Sequence, residues 1–538
     1  MSGSAEKTEV LIVGAGASGG VVGRRLAENG IRVACLEQGY WPDPATYPAP
    51  RPEYELLSRK QWSGSPNIRG LREDYPVDDA ESDIAPLMFN GVGGSLVLYA
   101  GDWCRMRPSD FRVRTLDGVA DDWPISYSEL QPHYERTDLE FDAAGLGDDP
   151  SMPPGASPPL PPLPIGKGAL RVARAHTRLG WHWWPGTNSV VSVARGSKRV
   201  CVQWGTCMQG CPEGAKASTD LTHWPAAIEH GAQVITGARV TRVVLGPSGL
   251  ATGVEYVTLD GAERRHDADV VVLAANAIGT ARLLLLSACP GHSDGLANGS
   301  GVVGRRLMVH PFANVTGIFD EDLESWRGHV GAKIVSYEFY ETDASRDFVR
   351  GAKWSLAPTG GPINAALPTR AGESVWGAPH HAHVRERLGR SMSWGIFGED
   401  LPDLENRVVI DPTLVDSSGL PAPKLHYRAS ENSRRLLDFH IDRASESLRE
   451  AGARLIDVER LMRYSGWHLL GTARMGCDPA NSVVDAWGRA HEVENLYVVD
   501  GSVFVTSGGV NPTSTIAAFA SRVADRLIEA RHDQRVAV

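Results

Sequence analysis

Residues 9–20 read Glu9-Val10-Leu11-Ile12-Val13-Gly14-Ala15-Gly16-Ala17-Ser18-Gly19-Gly20. An apolar run ends in a cluster of glycines, and a helical stretch follows to Asn29, where Gly30 caps it. Residues 31–36 form a second apolar run that reads as a buried strand. The spacing is Gly-x-Gly-x-x-Gly between a strand and a helix, the context in which that motif has meaning. Gly14 permits the tight turn, Gly16 lets the backbone approach a pyrophosphate, and Gly19 allows close helix–strand packing. The helix N-terminus at Ala17 and Ser18 offers free N–H groups to phosphate oxygens. Glu37 lies 23 residues after Gly14, at the end of the second strand, where a carboxylate accepts both ribose hydroxyls of an adenosine. The motif predicts a dinucleotide and does not separate NAD from FAD.

The bulk numbers narrow the rest. With 538 residues, 42% of them hydrophobic, the chain has ample core for two or three domains. Its net charge is −11 and no block of Lys or Arg interrupts the mixture, which argues against nucleic acid as a partner. Seven cysteines make an odd and sparse set, which fits a reducing compartment better than a disulfide framework. The longest apolar stretch, residues 270–289, contains Asn276 and Arg282 and does not read as a membrane span. The early apolar run is glycine-rich and Arg24-Arg25 follow it, so the expectation is a mature cytoplasmic start. Eight prolines fall between residues 148 and 166, which predicts an extended connector. Further strand and helix signals lie at residues 270–274 and 277–286. An amphipathic helix over 430–451 carries Leu437, Ile441, Ala444, Leu448 and Ala451 on one face, and a last helix runs from 512 to about 530.

Four further motifs occur in order. They are Gly91-Val92-Gly93-Gly94-Ser95 with Trp103 and Arg105, then His468-Leu469-Leu470-Gly471-Thr472-Ala473-Arg474-Met475-Gly476, then Asn495-Leu496-Tyr497-Val498-Val499-Asp500-Gly501-Ser502, then Gly509-Val510-Asn511-Pro512-Thr513. Together with the first loop they resemble the glucose–methanol–choline (GMC) oxidoreductases over essentially the whole chain. The resemblance implies FAD as cofactor. Gly93, Gly94 and Ser95 would lie along the diphosphate and flavin, Val240 would meet the adenine through its backbone, Asp500 and Gly501 would hold the pyrophosphate–ribityl region, and Asn511 with Pro512 would border the flavin ring. Tyr99 departs from the family pattern, in which Asn is common. Residues 103–111 and 122–134 resemble the branch of gluconate, fructose and glucose dehydrogenase large subunits and the aminoglycoside alcohol oxidases, which implies a sugar or sugar-like alcohol as substrate.

Within these motifs His468 is the expected general base, because a neutral imidazole titrates near working pH and can take the hydroxyl proton as hydride leaves the carbon. Asn511 is the expected donor to the substrate oxygen as charge develops there. His310 reads as a satisfied structural histidine. Cys201, Cys207 and Cys211 precede Pro212 at a spacing similar to the iron–sulfur segment of the fructose and glucose dehydrogenase branch, which implies a [3Fe-4S] cluster, against a plain loop with free thiols.

The expected fold is α/β: a Rossmann-like FAD-binding domain interleaved with an α+β substrate domain built on a mainly antiparallel sheet. The FAD domain takes residues 1–147, 225–304 and 467–538. The connector occupies 148–166, a cap with the cysteine segment 167–224, and the substrate domain 305–466. The expected activity is oxidation of a CH–OH group, with a separate electron-accepting protein or oxygen as the second partner. A hydroxynitrile-lyase-like reaction without redox turnover is the alternative from another class.

Overall fold

The opening strand, Glu6–Val13, pairs in parallel with Val33–Leu36 on one side and Glu263–Leu273 on the other. Val13 stands opposite both Leu36 and Leu273, so three strands end at one edge, where the glycine loop begins. The computed structural model describes residues 6–155, 157–367 and 375–536. The expectation for the first residues of the chain therefore lies outside the described residues. Gln233–Ile235 and Leu496–Val498 extend the parallel part of the sheet. Ala251–Thr258 and Ala238–Leu245 then continue it by antiparallel pairing. The sheet is therefore mixed, with seven strands among the described residues. The antiparallel extension has a local cause: a short turn through Gly246 and Gly249 joins the last two strands, and such a turn cannot make a parallel crossover.

The second sheet is antiparallel throughout. Its order is Leu455–Glu459, Phe312–Ile318, Ser391–Gly398, Ala352–Ala357, Ile334–Ser336 and Trp184–Pro185. Every residue of Ser391–Gly398 is buried. Helix Glu431–Glu450 covers this sheet with Leu437, Ile441, Ala444 and Leu448, and Ser430 caps it by accepting the Ser433 N–H at 3.0 Å. The same core takes in Val172 and Ala173 of helix Gly166–Leu179, so part of the segment expected as a cap packs with this second sheet.

The last helix, Thr513–Val536, lies against the first, Ala17–Glu28, and against Tyr127–Glu140. Asp525 bridges to Arg25 and Arg136 at 2.7 Å each, and the Tyr134 hydroxyl meets Thr515 at 2.7 Å. This docking carries the loop before the helix to the edge where the parallel strands end.

That loop is tied down from behind by a buried ionic cluster. Arg350 reaches Asp110 at 2.5 Å and Glu399 at 2.8 Å, and all three side chains are essentially inaccessible. Asp110 accepts the Tyr340 hydroxyl at 2.9 Å, and Tyr340 in turn accepts the Gly509 N–H at 2.9 Å. Removing one partner from such a cluster leaves a buried charge uncompensated, at a cost of about 3–5 kcal/mol. Arg350→Ala is therefore expected to lower the thermal unfolding midpoint markedly. Differential scanning calorimetry checks this, and a midpoint equal to that of the parent would contradict it.

Candidate active site

The glycine loop is built to receive an anion. Gly14 has φ +104°, and a Cβ there would lie 2.5 Å from the Ala274 carbonyl oxygen. A Cβ on Gly19 would lie 2.0 Å from the Gly14 oxygen, so the helix can approach the strand only without one. The first helix has no side-chain N-cap and no acidic residue in its first turn. Its first N–H groups thus remain open to a ligand. Two distant segments hold the loop in place. The Ala15 carbonyl accepts the Gly93 N–H at 3.0 Å and the Trp224 indole N–H at 2.9 Å. Gly94 sits so close to Gly16 that a Cβ on it would lie 2.7 Å from the Gly16 Cα.

Glu37 is buried, and its carboxylate accepts the N–H of Ala15 at 2.8 Å and of Gly39 at 2.9 Å. Burial pushes its pKa up, against the pull of these two hydrogen bonds. Asp500 is fixed similarly, accepting the Thr280 hydroxyl at 2.6 Å and the Ser502 N–H at 2.9 Å.

One cleft, open to solvent, joins these groups. Its wall includes Gly14, Gly16, Ala17, Ser18 and Glu37 from the first motif, and Gly94, Ser95 and Val240 from the middle of the chain. His468, Asp500, Gly501 and Pro512 come from the C-terminal part. Gly19 and Gly93 support the wall through backbone packing, and Asn511 adjoins it, its carboxamide nitrogen 3.4 Å from His468 Nε2. Tyr75, Asn276, Arg239 and Arg282 also line the cleft, and no motif singled them out in that role. A glycine-lined floor, an uncapped helix start and a buried carboxylate at one end suit a dinucleotide.

At the other end the side chains meet in a relay. His468 Nδ1 lies 2.7 Å from His310 Nδ1, and His310 Nε2 lies 2.5 Å from the Gly508 carbonyl oxygen. Burial lowers the His310 pKa to about 4 and holds His468 well below the ordinary imidazole value, with His310 and Lys353 adding to the latter. Both rings are therefore neutral. A carbonyl only accepts, so His310 carries its proton on Nε2 and presents a lone pair at Nδ1. His468 must then donate from Nδ1, which leaves the lone pair on its Nε2. Asn511 Nδ2 faces that lone pair at 3.4 Å. On its other side Asn511 Oδ1 accepts from the Lys353 ammonium at 2.6 Å. The rings of Phe397 and His310 flank His468 at 5.7 and 4.8 Å. His310 is thus a satisfied histidine, as expected, but the partner that satisfies it is the predicted base.

Two regions of the chain match family models described as GMC oxidoreductase, residues 179–312 and 402–520. Over 532 residues the chain is 41% identical to the 2-methyl-1,2-propanediol dehydrogenase of Mycolicibacterium austroafricanum, covering 98% of this chain and 96% of that protein. The chain belongs to the GMC oxidoreductase family. The fructose dehydrogenase large subunit of Gluconobacter japonicus is a more distant relative, 27% identical over 98% of this chain and 99% of its own length. Among solved structures, the pyridoxine 4-oxidase from Mesorbium loti superposes with TM-score 0.65 over 96% of this chain and 99% of that one, at 20% identity, a likeness of fold. The protein is an FAD-dependent oxidoreductase of this family.

Among the described residues no three His, Cys, Asp or Glu side chains are arranged to hold a metal ion. Cys201 and Cys207 instead accept N–H bonds from Gln203 and Val330 at 3.4 Å each, and burial raises both thiol pKa values. Among the described residues no helix is long and apolar enough to cross a membrane.

Proposed function

We propose that this GMC oxidoreductase oxidises an alcohol, with His468 as general base and Asn511 as donor to the substrate oxygen. What supports the reading is the hydrogen-bond chain from His468 Nδ1 through His310 to the Gly508 carbonyl, which leaves the lone pair of His468 on Nε2 beside a carboxamide N–H. The substrate hydroxyl proton moves to His468 Nε2. The Asn511 N–H stabilises the negative charge that grows on the oxygen, and this charge weakens the adjacent C–H bond. Bound FAD would supply the hydride acceptor. Trp467 and Leu469, beside His468 in the wall, limit the water that reaches the proton-transfer step. FAD is the cofactor this reading requires. It assigns no role to the cysteine segment.

The substrate class is a diol or sugar-like alcohol, in keeping with the relatives that are a diol dehydrogenase and a fructose dehydrogenase. Anaerobic mixing of the yellow protein with 1,2-diols and with free sugars is expected to bleach the flavin for at least one of them. A flavin that stays yellow while the substrate is consumed would point instead to lyase chemistry without redox turnover. Admitting air to the reduced protein then separates an oxidase, which regains colour within a turnover, from a dehydrogenase that needs a separate acceptor.

The pH dependence follows from burial. Because the His468 pKa is depressed, the base form persists as pH falls below 6.5, the ordinary imidazole value. The rate of flavin reduction is therefore expected to stay level from about pH 8 down to about pH 6.5 and to fall only below that. A descending limb centred at or above pH 7 would contradict the assignment.

A further inference from the structure

Lys353 is buried on the strand Ala352–Ala357, and none of the motifs includes it. Its ammonium makes three contacts: Asp102 Oδ2 at 2.6 Å, Cys104 Sγ at 2.9 Å and Asn511 Oδ1 at 2.6 Å. Asp102 is itself held by the Ser355 hydroxyl at 3.1 Å. The backbone adds a fourth tie, since the Lys353 N–H donates to the Gly509 carbonyl at 3.1 Å.

We propose that Lys353, anchored by Asp102, is a positioning residue that sets which way the Asn511 carboxamide faces. The oxygen and nitrogen of a carboxamide are nearly the same size, so shape alone leaves two orientations open. An ammonium has three donors and no acceptor, so it meets only the oxygen. The Asn511 NH₂ is thereby turned toward His468 Nε2 and the substrate oxygen. In the flipped orientation a carbonyl oxygen would face the imidazole lone pair and the growing alkoxide charge, where a donor is needed. The ammonium also adds a positive charge behind the site, opposing protonation of His468 and His310. Burial acts against the charge on Lys353 itself, but Asp102 and Cys104 outweigh it and hold its pKa up, so the charge persists across the working range.

This inference rests on the alcohol-oxidising reading, and the test separates the two. Wild-type bleaching by a diol or sugar decides that reading by itself. Lys353→Met keeps an unbranched side chain one atom shorter and removes every donor. It is expected to retain FAD, to lower the rate constant of flavin reduction on the order of 10²-fold with substrate affinity little changed, and to shift the acid limb of the pH profile upward. Lys353→Arg, which still offers only donors, is expected to restore at least part of the rate. If Lys353→Met does not fold because Asp102 is left unpaired, the double variant Asp102→Asn with Lys353→Met removes both charges and carries the same expectations. A ¹⁵N-histidine titration reads the His468 imidazole with no substrate present and is expected to show its pKa rising in the variant. A folded, flavin-loaded Lys353→Met protein with a reduction rate within threefold of the parent and an unmoved His468 titration would overturn the proposal.

Discussion

Replacing His468 by Ala leaves a yellow protein whose flavin is reduced by its alcohol on the order of 10³-fold more slowly, within the range a positioned general base contributes. In the proposed reaction the imidazole has a role that no neighbour takes over: its Nε2 accepts the hydroxyl proton, and the lone pair lies there because His310 accepts from the other nitrogen. His310 does not take its place, since it is 1% exposed and its own lone pair, on Nδ1, faces the back of the His468 ring and not the cleft. Stopped-flow anaerobic reduction checks the outcome, with flavin absorbance reporting that the cofactor is still bound. A loss of less than tenfold, with FAD retained, would move the base elsewhere. Raising the pH should recover part of the rate in the variant, because hydroxide or a pre-formed alkoxide then bypasses the missing base. The parent shows no such gain above about pH 6.5.

Gly94→Val is expected to give a colourless protein. Gly94 has φ +53°, a conformation that a β-branched residue strongly resists. Its Cβ would also lie 2.7 Å from the Gly16 Cα, and backbone there cannot yield as the end of a flexible side chain would. The two glycine loops must therefore part where they meet. Strain of about 3 kcal/mol on the bound geometry corresponds to a roughly 10²-fold weaker FAD affinity. Titration of the apoprotein with FAD, followed by fluorescence quenching, measures it, and circular dichroism establishes that the variant is folded. Wild-type affinity in a folded variant would mean that the Gly16–Gly94 contact does not shape the cofactor cleft.

Much of this protein was legible from local pattern, and the reasons are specific. The strand at Glu6–Val13 and the helix at Ala17–Glu28 announce themselves through a change of period around a glycine cluster. Helix Glu431–Glu450 falls within one residue of its expected bounds at each end because Ser430 caps it and Gly452 stops it. The final helix runs six residues beyond its expected end, to Val536, because no glycine or proline interrupts it. The antiparallel flank formed by Ala238–Leu245 and Ala251–Thr258 carried no such signal, since a β-branched run looks the same in either pairing.

The hydrogen-bonded relay shows where pattern stops. Lys353 and Asp102 are 251 positions apart and His310 and His468 are 158 apart, and nothing in the composition around them marks a partnership. Lys353 looks like any lysine in a strand until the fold removes its solvent. His310 looks structural until its free nitrogen is found against the base.

The sequence alone determined the chemistry that each short segment can perform: a glycine turn that admits phosphate, a carboxylate for ribose, an imidazole and a carboxamide near the C-terminus. Such properties belong to a few adjacent residues and follow from backbone conformation and side-chain type. Only the tertiary structure decided which imidazole nitrogen bears the proton and which face of Asn511 is presented. Those choices are made by partners brought together from distant segments, where a buried donor or acceptor must be matched and each match dictates the next.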